Sequence, residues 1–451
     1  MKVMKWSAIA LAVTAASTQL ASAAAFVSDQ SQAKGFVEDA TFNLLLRNYY
    51  YNRNKEGHFD DGKPNRDDKD WTQGFHGVFS SGFTQGTIGF GVDAFGYLGV
   101  KLDGEDRYSG SGNLSVSADG SRNGHNNDSF GKAGAAVKIR VSKTLLKFGD
   151  MQPTTSPVFA VGGSRLLPQT ASGFSLMSSE IDNLDVEAGH FTSGTSQDRT
   201  GRDGELWATY AGISTTSADF VGGKYSINDA LSVSLYGAKL KDIWNQYYTN
   251  VNYALPLSDT QSLTFDFNYY NTQDTGSAKA GDISNNAYSL SAAYSFMAAH
   301  TLTFGFQKVN GNTPFDYIGV GDNNRGGDSI FLANSIQYSD FNGPGERSFQ
   351  ARYDLNMATF GVPGLSFMTR YITGDNIDGT RISANSPYAG LYGEDGKHHE
   401  TNLEAKYVVQ QGPAKNLSFR MRQAWHTANA DEGEGDVKEF RLIVDYPISV
   451  L

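Results

Sequence analysis

The chain has 451 residues, no cysteine, 50 glycines, 12% aromatic residues and a formal charge of −11. So many aromatics exclude a disordered chain, glycine without a strict period excludes collagen, and the lack of cysteine excludes disulfides, iron–sulfur clusters and thiolate zinc sites. The acidic balance argues against nucleic acid as a partner, and beyond the N-terminus no apolar run approaches the roughly 20 residues of a spanning helix.

The first element in chain order is an export signal. Lys2 and Lys5 make a basic start, residues 6–13 are apolar, and Ala21-Ser22-Ala23 is a small-residue cleavage site. This pattern predicts removal of residues 1–23 and a mature start at Ala24. Export without cysteine suits a bacterial envelope. Residues 24–451 are then expected to form one domain.

From there the chain reads as strands with a side-chain period of two. On the first, Arg47 and Arg53 share a face with Tyr49 and Tyr51. In Val137-Lys138-Ile139-Arg140-Val141 the two basic residues share a face, and Lys147 joins them beyond the Ser142-Lys143 turn. Phe349, Ala351, Tyr353 and Leu355 oppose Gln350, Arg352 and Asp354, and Arg370 follows on the next segment. Leu403, Ala405 and Tyr407 oppose Glu404 and Lys406; Leu417, Phe419 and Met421 oppose Arg420 and Arg422. At the end, Phe440, Leu442 and Val444 oppose Glu439, Arg441 and Asp445. Many segments run about 9–11 residues, the length that crosses a bilayer when tilted, whereas strands of a soluble sandwich are usually about 5–6. Trp71, Tyr49 to Tyr51, Tyr269, Tyr270 and Tyr446 are expected in the aromatic girdles at the membrane interfaces.

Short links at Asn228-Asp229-Ala230, Met297-Ala298-Ala299, Gly361-Val362-Pro363-Gly364 and Gly412-Pro413-Ala414-Lys415-Asn416 alternate with long ones at 54–70, 103–130, 151–172, 310–347 and 374–400. The long ones are rich in Gly, Asp, Asn and Ser. The predicted fold is all-β: a transmembrane antiparallel up-and-down barrel of about eighteen strands, with short periplasmic turns and roughly nine outer connections. Within residues 192–220, the piece 205–211 reads either as a strand or as part of a folded loop. A barrel of this size is expected to enclose water, with no buried apolar core.

Two loops are candidates for narrowing the lumen. Residues 152–170 carry Val158-Phe159-Ala160-Val161 and Leu166-Leu167 among prolines and glycines. The longer loop 310–347 carries Pro314-Phe315-Asp316-Tyr317 and Phe331-Leu332-Ala333-Asn334-Ser335. Such apolar content predicts inward folding onto the wall; a surface cap over the mouth is the alternative.

A charge facing lipid at mid-depth costs roughly 2–4 kcal/mol for Arg or Lys. The basic residues on the polar faces are therefore expected to line the lumen: Arg47, Arg53, Lys138, Arg140, Lys147, Arg352, Arg370, Arg420, Arg422 and Arg441. Guanidinium matches a carboxylate bidentately and keeps its charge at any relevant pH. In a wet pore each such site is worth only about 1 kcal/mol, weak enough to pass a solute on. The alternative is that these arginines neutralise Glu404, Glu439 and Asp354 in structural networks.

The sequence resembles the OprD-family outer-membrane carboxylate channels of pseudomonads, most closely the OprE-like members. The strings that carry the resemblance include Leu44-Leu45-Leu46-Arg47-Asn48-Tyr49-Tyr50, Trp71-Thr72-Gln73-Gly74-Phe75 and Ser81-Gly82-Phe83-Thr84-Gln85-Gly86-Thr87. Gly162-Gly163-Ser164-Arg165-Leu166-Leu167-Pro168-Gln169-Thr170 follows, then Gly390-Leu391-Tyr392-Gly393-Glu394-Asp395-Gly396-Lys397-His398-His399-Glu400 and Arg422-Gln423-Ala424-Trp425-His426. The resemblance spans nearly the whole chain. It implies eighteen strands, a third outer loop folded inward with help from the seventh, and an arginine ladder on Arg53, Arg420, Arg422 and Arg441. It also implies a constriction residue at Arg165, and polar or acidic groups opposite the ladder at Asn334, Ser335, Tyr338 and Asp340.

The expected function is a substrate-selective porin for passive diffusion of small water-soluble carboxylates, aromatic or other monocarboxylates and amino acids among them. A porin for basic amino acids or peptides, and an outer-membrane barrel enzyme, are the alternatives. No catalytic residues, cofactor or metal are expected: Lys397-His398-His399-Glu400 suggests a metal cluster, but adjacent histidines on a strand point to opposite faces. Expected partners are carboxylate solutes, outer-membrane lipids and lipopolysaccharide, with the chain a monomer or weakly associated trimer.

Overall fold

A strand that gives one face to a bilayer still has to pair every backbone group, so alternation of this kind requires closure of the sheet on itself. The computed structural model describes residues 26–56, 59–60, 63–64, 67–117 and 124–451. The expected signal segment 1–23 lies outside them, as do parts of the first two long loops. Eighteen strands form one sheet. They are β1 (Thr41–Glu56), β2 (Asp68–Ser80), β3 (Ile88–Asp103), β4 (Ser129–Val141), β5 (Thr144–Met151) and β6 (Thr170–Ile181). Next come β7 (Leu184–Thr195), β8 (Ala218–Ser226), β9 (Leu231–Leu240), β10 (Trp244–Ser258), β11 (Gln261–Asp274) and β12 (Ser284–Phe296). The last six are β13 (His300–Asn310), β14 (Arg347–Asn356), β15 (Leu365–Ile377), β16 (Gly396–Val408), β17 (Ser418–Ala428) and β18 (Asp436–Ser449). Each pairs antiparallel with its neighbours in sequence, and β18 returns to β1, with Asn43 opposite Ser449 and Glu56 opposite Asp436. The ring has no free edge.

One end carries short turns, such as Ser142-Lys143 between β4 and β5 and Asp182-Asn183 between β6 and β7. The other end carries the long loops, which are numbered here in chain order; loops 3, 4, 7, 8 and 9 span 152–169, 196–217, 311–346, 378–395 and 429–435. The expected alternation therefore holds.

The faces are the reverse of a soluble protein's. On β4, Val137, Ile139 and Val141 are exposed and Lys138 and Arg140 buried. Phe304 on β13 is 64% exposed beside the alanines Ala292 and Ala351 of its two neighbours. This apolar outer belt meets hydrocarbon in the outer membrane. Arginine in place of Phe304 is expected to destabilise the barrel by about 2–4 kcal/mol, measured by urea unfolding in lipid vesicles; an unchanged midpoint would remove this position from the bilayer.

Two expectations need correction. Tyr49, Tyr51 and Tyr270 are not girdle residues: all three are wholly buried on the inner face. A run of three tyrosines must split between faces because side chains alternate, so only Tyr50 of the first run points outward. The interior also does contain an apolar core. Phe159 of loop 3 stacks on Phe191 of β7 at 4.5 Å and Phe220 of β8 at 5.8 Å. Around them gather Leu206 of loop 4, Phe315 and Leu332 of loop 7, and Trp244, Tyr248 and Tyr270 of the wall. Both candidate loops thus fold inward, and their apolar pieces make a core on one side of the barrel. Residues 206–208 form a strand within folded loop 4, paired with 213–215 and with 318–320 of loop 7.

Candidate functional site

Antiparallel register decides which inward side chains become neighbours round the wall. From β14 to β1 it aligns two successive inward rows. The first reads Arg352, Arg370, Asn402, Ala424, Glu439 and Arg53. The second reads Asp354, Met368, Glu404, Arg422, Arg441 and Tyr51. Arg420 lies one inward position further along β17, opposite Lys406. Arg352 faces Arg370 and Arg422 faces Arg441 directly across adjacent strands. Like charges so placed are destabilising, so the wall needs counter-ions.

The counter-ions are present, but fewer than the cations. Glu439 accepts from Arg53 at 2.6 Å and Arg441 at 2.5 Å. Glu404 receives Arg420 at 2.8 Å and Arg422 at 3.1 Å. Each carboxylate therefore serves two guanidiniums and leaves one positive charge over. Asp68, 4.0 Å from Arg53, is already held by Lys55 at 3.0 Å. Arg352 binds Asp354 through two nitrogens at 2.7 Å. Arg370 is buried with Nε donating to Asn402 at 2.8 Å. These arginines form ion pairs, and at Glu439 and Glu404 the pairs leave positive charge over. A recess of about 140 Å³ opens beside Arg352, Asp354 and Glu404.

Loops 3 and 7 close against this wall. Leu166 and Leu167 of loop 3 bury themselves against Tyr49, Tyr51, Tyr97, Phe130 and Ile443. That seating places the Arg165 guanidinium 5.3 Å from the Tyr51 ring centre, with Nε donating to Ser111 O at 2.8 Å. Arg47 stands apart from the rows. It pairs with Asp445 at 2.8 Å and donates to the Gly163 and Arg165 carbonyls, holding loop 3 from below. From loop 7, the Tyr338 ring lies 4.9 Å from the Arg53 guanidinium. The Tyr338 and Ser339 amides donate to Glu400 of β16 at 3.2 and 3.0 Å. Asp340 accepts from Ser335, Tyr210 and Tyr317, all through hydroxyls. Asn334 is wholly buried, donating to Ser348 and accepting from Gln350. It fastens loop 7 to the wall, so its expected place in the opening is corrected.

Three other candidates also need correction. Lys138 and Lys147 both bind Asp93 at 2.6 Å. Arg140 donates to Ser28 and Gln30 of the N-terminal segment, with Phe83 against its guanidinium at 4.0 Å. Parity put Lys138 and Arg140 on the correct face, but it gives neither depth nor cover. They and Lys147 sit in a tight network near the short-turn end, away from the rows. Sequence reasoning weighed Glu400 only as a metal ligand and Tyr317 only as part of an apolar loop piece, and gave neither a place in this site, although Glu400 shares the parity of Glu404.

Comparison with known proteins agrees with this architecture. The family described as outer membrane porin, OprD family, matches residues 34–450. Porin D of Pseudomonas aeruginosa is 65% identical over 456 residues, covering 100% of both chains. The porin-like protein GalP of Pseudomonas putida is 34% identical, covering 94% of this chain and 95% of its own. Among solved structures, OprD from Pseudomonas aeruginosa superposes with a TM-score of 0.82 at 60% identity, covering 95% of this chain and 100% of that one.

Proposed function

Because this chain belongs to the OprD family of outer membrane porins, we propose that its arginine rows select small, water-soluble carboxylates for passive diffusion. The observation that carries the reading is the two-to-one ratio of guanidinium to carboxylate at Glu439 and Glu404. A solute carboxylate supplies the missing acceptor at each place, and in a wet pore each exchange is worth only about 1 kcal/mol. Weak sites in series allow entry without trapping. The chain works as a channel and not as a catalyst, and it closes its own barrel without a second copy. A solved relative, OpdK of Pseudomonas aeruginosa at 32% identity, has been crystallised with vanillate, which supports aromatic monocarboxylates among the solutes.

Asp340 favours a second reading. It lies two residues beyond Tyr338, on the loop that covers Arg53, and its carboxylate is held by three hydroxyls. This arrangement suits solutes with a cationic group as well, such as basic amino acids or peptides. Liposome swelling separates the readings. Monocarboxylates are expected to enter faster than their amide isosteres of equal size. Equal rates would sink carboxylate selection, and preference for basic over acidic amino acids would favour the second reading.

A further inference from the structure

Above the arginine rows, on the long-loop side, the wall and loop 9 bring together His398 of β16, His426 of β17, Glu432 and Glu434. One ligand atom from each lies within 4.8 Å of the others. His398 Nδ1 stands 2.9 Å from His426 Nε2. Glu432 Oε1 is 3.5 Å from the first nitrogen and Glu434 Oε2 3.6 Å from the second.

The outer partners of the two rings fix which nitrogens carry protons. His426 Nδ1 is 2.7 Å from the Gly435 carbonyl, which can only accept, so Nδ1 is the protonated nitrogen. His398 Nε2 is 2.8 Å from Glu346 Oε1, again an acceptor, so Nε2 carries the proton there. The two remaining nitrogens therefore point lone pairs at each other across 2.9 Å. Only a shared proton or a cation between them makes that arrangement favourable. The surrounding oxygens distinguish the two. Glu434 Oε2 is buried with no hydrogen-bond partner. Glu432 holds Oε1 toward the ring while its other oxygen accepts the Glu434 amide at 2.8 Å. Two nitrogens and two carboxylate oxygens are a tetrahedral donor set, in which nitrogens bound at about 2.0–2.1 Å from zinc stand about 3.3 Å apart.

We propose that His398, His426, Glu432 and Glu434 bind one divalent transition-metal ion of the zinc type. The outer partners match those of known metal sites, where the second nitrogen of each ligating histidine donates to a carboxylate or a carbonyl. The cluster is also covered: Phe341 packs on His398 at 4.1 Å and Tyr338 on His426 at 5.0 Å. Gly374 on β15 leaves the space in which Glu346 meets His398, since a Cβ there would collide with both side chains. The ion ties loop 9 to β16 and β17 beneath the tip of loop 7.

The test is cobalt(II) titration of the full chain in detergent, made without a polyhistidine tag. One ion per chain is expected, with the visible absorption of tetrahedral cobalt, displaced by zinc. Glu346→Gln, which leaves all four proposed ligands in place and alters only the acceptor behind His398, should weaken binding roughly 10–100-fold, and His426→Gln and Glu434→Gln at least as much. Single-channel conductance confirms that each variant still forms a barrel. No stoichiometric cobalt on the unaltered chain would overturn the proposal, leaving a shared proton between the rings. Binding unchanged in the His426→Gln and Glu434→Gln variants would overturn it as well. Carboxylate selection stands or falls separately.

Discussion

Replacing Arg420 and Arg422 together by glutamine is expected to cut monocarboxylate flux by up to roughly thirtyfold, two sites of about 1 kcal/mol each. Flux of the matching amide should stay close to that of the unaltered protein. Both arginines share Glu404, and Arg420 is the more open to solvent, with 40% of its side chain exposed. Without them Glu404 becomes an uncompensated negative charge on the path, so repulsion adds to the loss of attraction. Adding Glu404→Gln to the double variant should therefore restore part of the flux. Liposome swelling with both solutes measures all three chains. Equal loss for carboxylate and amide would mean that the pore had narrowed, and no loss would remove these arginines from the route.

The second large effect is on stability. Glu439 is itself wholly buried and accepts from Arg53, Arg441 and the Tyr51 hydroxyl at 2.5–2.8 Å, with the Arg53 side chain partly open to the lumen. Gln337 of loop 7 donates to it as well. It also sits opposite Arg53 on the seam where the last strand meets the first. Glu439→Ala strands two guanidiniums beside that seam, and breaking a buried pair costs about 3–5 kcal/mol. Glu439→Gln keeps an acceptor and should lose less. Urea unfolding in lipid vesicles gives the comparison. A change in the alanine variant within about 0.5 kcal/mol, the range of an ordinary surface substitution, would make Glu439 a bystander.

Most of the barrel was legible because a membrane imposes one rule on every strand. Alternation in Phe349 to Leu355 or Phe440 to Asp445 admits a single orientation once hydrocarbon lies on one side. Parity also put Arg53, Arg420, Arg422 and Arg441 on inward faces, the positions at which the family resemblance implied a ladder. Depth along the strand and what covers a side chain were not legible. Lys138 and Arg140 share the parity of ladder residues, but their partners Asp93, Gln30 and Ser28 come from distant parts of the chain. Tyr49 and Tyr51 look like girdle residues by composition and are placed inside by the register that sets Tyr51 beside Arg441. The apolar core was half visible in Val158 to Val161, though not its partners Phe191 and Phe220. His398 was singled out, but His426, Glu432 and Glu434 reach it only through β17 and the fold of loop 9.

Current through one barrel in a planar bilayer tests the arginine rows most directly. A monocarboxylate added to one side is predicted to interrupt the salt current in brief events whose frequency rises with its concentration. Its amide should produce none, and the Arg420→Gln/Arg422→Gln chain should show almost none with either. Interruptions of the same frequency from acid and amide, or undiminished in the double variant, would contradict carboxylate recognition by these guanidinium groups.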